Sequence, residues 1–139
     1  MKRLLLALTI AATSLAAFTG CKKEYVTNNY LPGVSYVYNI KSNQWSRISG
    51  TNTFVYEQSV PDLDQRYFED GHVSVAISYD NDATVYEIIP ATIADYSFSA
   101  NYSIGKVRIF AEDIGTGSTV QSPDDMITKI VLTDAEIGN

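Results

Sequence analysis

The sequence predicts an all-β fold: an antiparallel two-sheet β-sandwich of about seven or eight short strands, with a small β-barrel as the alternative. Three observations carry this. From residue 34 onward Ile, Val, Thr, Tyr and Phe dominate, while Leu31, Leu63 and Leu132 are the only leucines beyond residue 20. Branched and aromatic side chains suit a pleated surface, whereas a small helical core leans on Leu and Ala. Apolar and polar residues also alternate with period two in segment after segment. Turn-forming residues separate these segments, and no long helical pattern links them as in parallel βαβ units.

In order, residues 34–40 place Val34, Tyr36, Tyr38 and Ile40 on one face, with Ser35, Val37 and Asn39 opposite. Lys41 to Gln44 is polar and reads as a turn, and Trp45 opens a shorter segment to Ile48 that Ser49-Gly50 ends. In 51–57, Phe54 and Tyr56 share a face. Pro61 to Asp70 suits neither period cleanly. Asp62 or Asp64 can cap a helical turn there and Gly71 can stop it, so it reads as a connection holding one turn of helix. The segment 72–79 is the clearest strand, with Val73, Val75 and Ile77 alternating with Ser74, Ala76 and Ser78.

Asp80-Asn81-Asp82 is a hairpin-turn candidate leading into 84–89, which Pro90 ends by removing a ladder donor. Strands follow at 95–102, with Tyr96, Phe98, Ala100 and Tyr102 on one face, and at 106–111, with Val107 and Ile109 on one face. A polar, glycine-containing loop spans roughly 112–125 before Met126, Thr128, Ile130 and Leu132 mark a final strand. Strands with one polar face need a second layer over the apolar one, and two packed sheets supply it.

The chain has 139 residues, enough for one modest domain. It divides into 1–20, 21–33 and a single β-sandwich domain at 34–139. Lys2 and Arg3 precede an apolar stretch from Leu4 to Phe18, broken only by Thr9, Thr13 and Ser14. A positive start, an apolar centre and small residues at the end form an export signal. Phe18-Thr19-Gly20-Cys21 resembles the lipobox of bacterial lipoproteins, with Phe18 where leucine is usual. That resemblance implies cleavage before Cys21 and acylation of its thiol. Cys21 is the only cysteine, so it cannot close an intramolecular disulfide. Acyl chains hold a protein to a membrane at about 0.8 kcal/mol per buried CH₂. Residues 21–33 then read as a lipidated N-terminus and short linker. Lys22 follows the cysteine where the inner-membrane retention rule of enteric lipoproteins requires Asp, and Lys22-Lys23-Glu24 resembles surface-export signals of Bacteroidota lipoproteins. The expected location is the outer membrane, with the cell surface favoured over the periplasmic face.

Lys+Arg number 10 against Asp+Glu 16, a net charge of −6. Losing Lys2 and Arg3 with the signal makes the remainder more acidic still. Such a surface repels phosphate backbones, so no nucleic-acid partner is expected. No cofactor is expected either. His72 is the only histidine, too few imidazoles for a zinc site, and no serine has a nucleophile-elbow context. Asp80-Asn81-Asp82 begins like a calcium loop, but Val85 and Ala91 replace its glycine and glutamate. Gly115-Thr116-Gly117-Ser118 lacks the lysine of a phosphate-binding loop. The chain carries 10 tyrosines and Trp45. Strand alternation accounts for most of them as half-buried packing. It leaves Tyr25, Tyr30, Trp45 and Tyr67, of which Tyr30, Trp45 and Tyr67 are the candidate ligand-facing aromatics.

An ordered set of short patches is similar to a group of uncharacterised Bacteroidota lipoproteins with a β-rich C-terminal domain. The patches are Asn43-Gln44-Trp45, Phe54-Val55-Tyr56, Val60-Pro61-Asp62-Leu63, Asp70-Gly71-His72-Val73-Ser74-Val75, Ile89-Pro90, Tyr96-Ser97-Phe98, Gly105-Lys106-Val107-Arg108-Ile109 and Ile130-Val131-Leu132. The likeness covers about 43–132. Those relatives often carry a collagen-like repeat after the anchor, which this chain lacks, and residues 34–40 supply an extra strand instead. The resemblance implies fold and location and assigns no role to any residue. Three functions stand open. One is a non-enzymatic outer-membrane lipoprotein domain for binding or surface assembly, meeting the lipid membrane through its acylated N-terminus and a glycan or surface protein through its β-domain. The second is a glycan-active hydrolase using a carboxylate pair from Asp62, Asp64, Glu69, Asp70 or Glu87. The third is a calcium-stabilised adhesin module.

Overall fold

The computed structural model of the chain describes residues 33–79 and 83–135. The export signal, Cys21, Tyr25, Tyr30 and Asp80-Asn81-Asp82 lie outside the described residues. Within them, nine strands form two antiparallel sheets. The first sheet contains β1 (Val34–Ile40), β9 (Met126–Asp134), β4 (Gly71–Ser78) and β5 (Glu87–Ile88), side by side in that order. The second runs β2 (Ser46–Arg47), β3 (Thr53–Ser59), β8 (Lys106–Asp113), β7 (Tyr96–Ser103) and β6 (Ala91–Ile93). The sheets do not join at their edges, so the fold is an open sandwich and not the barrel alternative.

The alternation read from the sequence becomes the core. Ile40, Val73, Val75, Ile77, Met126, Ile130 and Leu132 point inward from the first sheet. Phe54, Tyr56, Phe98, Val107, Ile109 and Ala111 meet them from the second. Fully burying each large apolar side chain contributes about 1.5–3 kcal/mol. Thr128 is wholly buried among them, and its hydroxyl donates to the Ala76 carbonyl at 3.1 Å, which removes the cost of an unpaired buried oxygen. One end of the core is aromatic. Phe98 has Trp45, Tyr79 and Tyr96 around it at centroid distances of 6.5, 6.3 and 5.9 Å, tilted or edge-on as ring quadrupoles favour.

The connection at 61–70 contains helix α1 (Gln65–Asp70), capped as the sequence predicts. The Asp64 carboxylate accepts from the Arg66 and Tyr67 amides at 2.9 and 3.1 Å. Gly71 ends the helix through close packing, because its φ of −104° is ordinary extended backbone. A Cβ there would lie 2.8 Å from the carbonyl oxygens of both Thr133 and Tyr67. Two differences from the sequence reading concern the region after residue 79. The predicted strand at 84–89 is ordered as a strand only at Glu87–Ile88, with Val85 exposed. An additional strand, β6, follows the cis Ile89-Pro90 bond and pairs with β7 through a two-residue turn at Ala94-Asp95.

Candidate functional site

Strand β1 in the first sheet passes through the 3₁₀ turn at Ser42–Gln44 directly into β2 of the second. The edges of both sheets therefore share one flank of the sandwich. Lys41, at the start of the crossover, is held to Asp125 at 2.8 Å, and the same carboxylate accepts from the Ser42 amide. On this flank the inward face of β1 presents Tyr36 and Tyr38, both half-buried, with ring centroids 6.1 Å apart and planes 15° from parallel. The Tyr36 hydroxyl donates to the Asp62 carboxylate, from the loop that follows β3. That bond, then burial and the negative charge of Asp62, push Tyr36 up to about 12. It is a fixed hydrogen-bond donor at neutral pH.

Opposite them, β3 contributes Tyr56 and Gln58, linked by a hydrogen bond from the tyrosine hydroxyl to the amide oxygen at 2.5 Å. Burial raises both Tyr38 and Tyr56, and the two lie close enough for their charges to interact. Around the corner, a depression of about 450 Å³ is lined by Gln44, Ser46, Val55, Tyr56, Glu57 and Arg108. Glu57 accepts from Lys106 Nζ and Arg108 Nε, each at 2.8 Å. These two hydrogen bonds, the one from Lys106 foremost, hold its carboxyl below the usual range. Tyr36, Tyr38, Tyr56 and Gln58 thus lie on the core side of the flank, whereas Glu57 and Arg108 lie on the outer face of the second sheet, beside the depression. What the flank offers a ligand is the two half-buried rings of Tyr36 and Tyr38 beside the Asp62 carboxylate.

The sequence candidates fall differently. Trp45 and Tyr67 are only 7% and 4% exposed, so both face the core and neither presents its ring to solvent. Trp45 packs on Tyr56 at 5.9 Å, immediately beneath the flank, and its buried indole N–H has no partner among the described residues. Of the carboxylates proposed for hydrolysis, Asp62, Asp64, Glu69 and Asp70 share the segment from the loop after β3 to the end of α1, and Glu87 lies apart from them. Asp62 receives Tyr36, Asp64 caps α1, Glu69 accepts from Gln65 at 2.8 Å, and Glu87 lies on β5 at the far edge of the first sheet. His72 is exposed on β4 opposite Thr133. Among the described residues no three His, Cys, Asp or Glu side chains are grouped to hold a metal ion. In the glycine-containing loop, Asp113 accepts from the amides of Gly115 and Gln121 at 2.9 and 3.0 Å.

Sequence reasoning missed the flank because Tyr36 and Asp62 are 26 residues apart and on different elements. The one available signal was the Tyr-x-Tyr spacing in β1, which reads equally well as packing. No family model, no curated protein and no solved structure matches the chain.

Proposed function

We propose that this protein is a tethered, non-enzymatic recognition module: exported, acylated at Cys21, held on the outer membrane and binding a glycan through the flank shared by β1 and β3. The observation that carries the reading is the stacked, half-buried Tyr36–Tyr38 pair on the β1 edge, with the Asp62 carboxylate bonded to the Tyr36 hydroxyl. Sugar rings stack on such faces while their hydroxyls use the surrounding polar groups. The lipobox-like Phe18-Thr19-Gly20-Cys21 and the likeness to Bacteroidota lipoproteins support the anchor.

Two experiments test it. Glycan-array binding by the full chain in detergent should be lost in Tyr38→Ala and Asp62→Asn while far-UV spectra stay unchanged. Binding that survives both substitutions, or turnover of a glycan by the purified protein, overturns the recognition reading. Fatty-acid labelling in cells should mark the wild type and not Cys21→Ser; label on both removes the anchor.

A further inference from the structure

We infer that β1 is a self-pairing edge and that two copies of this chain join through it about a two-fold axis at Val37, fusing their first sheets into one of eight strands. The inference rests on the backbone edge of β1 and draws in Tyr36 and Tyr38, the rings that the proposed function gives to a glycan.

Exposed strand edges carry unpaired N–H and C=O groups, and soluble proteins keep them short, charged or covered. Most edges here follow that rule. β2 is two residues long and contains Arg47, β5 is two residues long and contains Glu87, and β6 is three residues long and follows Pro90. The part of β3 that β2 leaves uncovered carries Glu57. β1 breaks it. It is seven residues long, contains no charge and no proline, and pairs with β9 along its whole length on one side only. No described residue hydrogen-bonds the backbone of its other side.

The sequence of that edge identifies the occupant. Val34-Ser35-Tyr36-Val37-Tyr38-Asn39-Ile40 is a chemical palindrome about Val37. An antiparallel copy in that register sets Val34 against Ile40, Ser35 against Asn39, Tyr36 against Tyr38 and Val37 against itself. Each cross-strand pair is then apolar with apolar, polar with polar, or aromatic with aromatic, the combinations that stabilise neighbouring strands. A shift of one residue destroys this match on both faces. A two-fold interface demands such self-complementarity, whereas a foreign strand does not. The outward Val37 is 56% exposed in the single chain, and the half-buried Tyr36 and Tyr38 gain the partner copy's rings as neighbours.

Cysteine crosslinking in the full chain, solubilised in detergent, reads the register directly. Paired residues across antiparallel strands have Cα atoms about 4.5–5.5 Å apart, within disulfide reach. Val37→Cys should therefore crosslink to a dimer under mild oxidation, as should the double variant Ser35→Cys/Asn39→Cys. Ser35→Cys alone should not, since the register separates the two copies of residue 35 by roughly 13 Å. The wild type, which retains Cys21, sets the background. Val37→Glu supplies the second measurement. It faces Lys129 within its own chain, so folding is retained, but it opposes its own copy across the axis. Sedimentation should show self-association weakened about tenfold or more with an unchanged far-UV spectrum. Val37→Cys crosslinking no better than Ser99→Cys on the opposite sheet overturns the proposal. So does a wild-type chain that sediments as a monomer, whatever the glycan array shows.

Discussion

Replacing Gly71 with alanine sets two effects of opposite sign against each other. Its φ of −104° is open to any residue, so local conformation alone favours alanine: restricting the unfolded chain stabilises by about 0.4–1 kcal/mol. Packing opposes this. The new Cβ would lie 2.8 Å from the carbonyl oxygens of Thr133 and Tyr67 and 3.0 Å from the Tyr67 Cα. All three are backbone atoms of the helix end and the adjacent β9, so no side chain can rotate away. Overpacking of this kind costs about 1–3 kcal/mol. The expected net loss is about 1–2 kcal/mol, or about 5–15 °C in melting temperature for a domain near 100 residues. Thermal and urea melts followed by far-UV circular dichroism and Trp45 fluorescence measure it. Gly117→Ala, where the nearest atom to the added Cβ is 3.9 Å away, serves as the control and should stay within about 0.5 kcal/mol of the parent. A Gly71→Ala protein that melts at or above the parent temperature refutes the packing argument.

Ala94 sits in the β6–β7 turn at φ +50°, where an L side chain is strained, so Ala94→Gly should raise stability by about 0.5–1 kcal/mol in the same melts. Phe98→Ala empties the centre of the aromatic end of the core and should cost about 3–5 kcal/mol, read as a lowered urea midpoint. Acid should also weaken the fold. Glu57 and Asp125 are held below the ordinary carboxylate range, by Lys106 and Arg108 in one case and by Lys41 and the Ser42 amide in the other. A carboxyl depressed in the folded state stabilises above its unfolded value and loses that contribution as pH falls through the folded one. Melting temperature should therefore drop as pH falls below the ordinary carboxylate range, and the drop should be smaller in Glu57→Gln.

β1 was legible residue by residue and β4 and β9 to within two residues at their ends, because period-two alternation survives wherever a sheet has one face in the core. Ala76 and Ser78, on the other face of β4, are nonetheless buried too. The cap at Asp64 was legible too, since it needs only residues two and three places along the chain. β6 was not. Ala91-Thr92-Ile93 is too short to display a period, and the proline before it reads as a terminator. Trp45 and Tyr67 misled for a related reason: each lies in a polar, irregular stretch that looks solvated, yet tertiary packing turns its ring inward. The flank joining Tyr36, Tyr38, Tyr56 and Asp62 depends on how one sheet lies over the other, which no local pattern encodes.

The antiparallel register of β1 with β9 places Val34 beside Leu132. The chain thus enters and leaves the sandwich at one pole, with α1 beside it at the start of β4. The opposite pole carries the Lys41–Asp125 bridge and the glycine-containing loop ahead of β9. A reporter fused behind residue 134 would sit at the pole where β1 begins, whereas one inserted into the loop ahead of β9 would sit at the other.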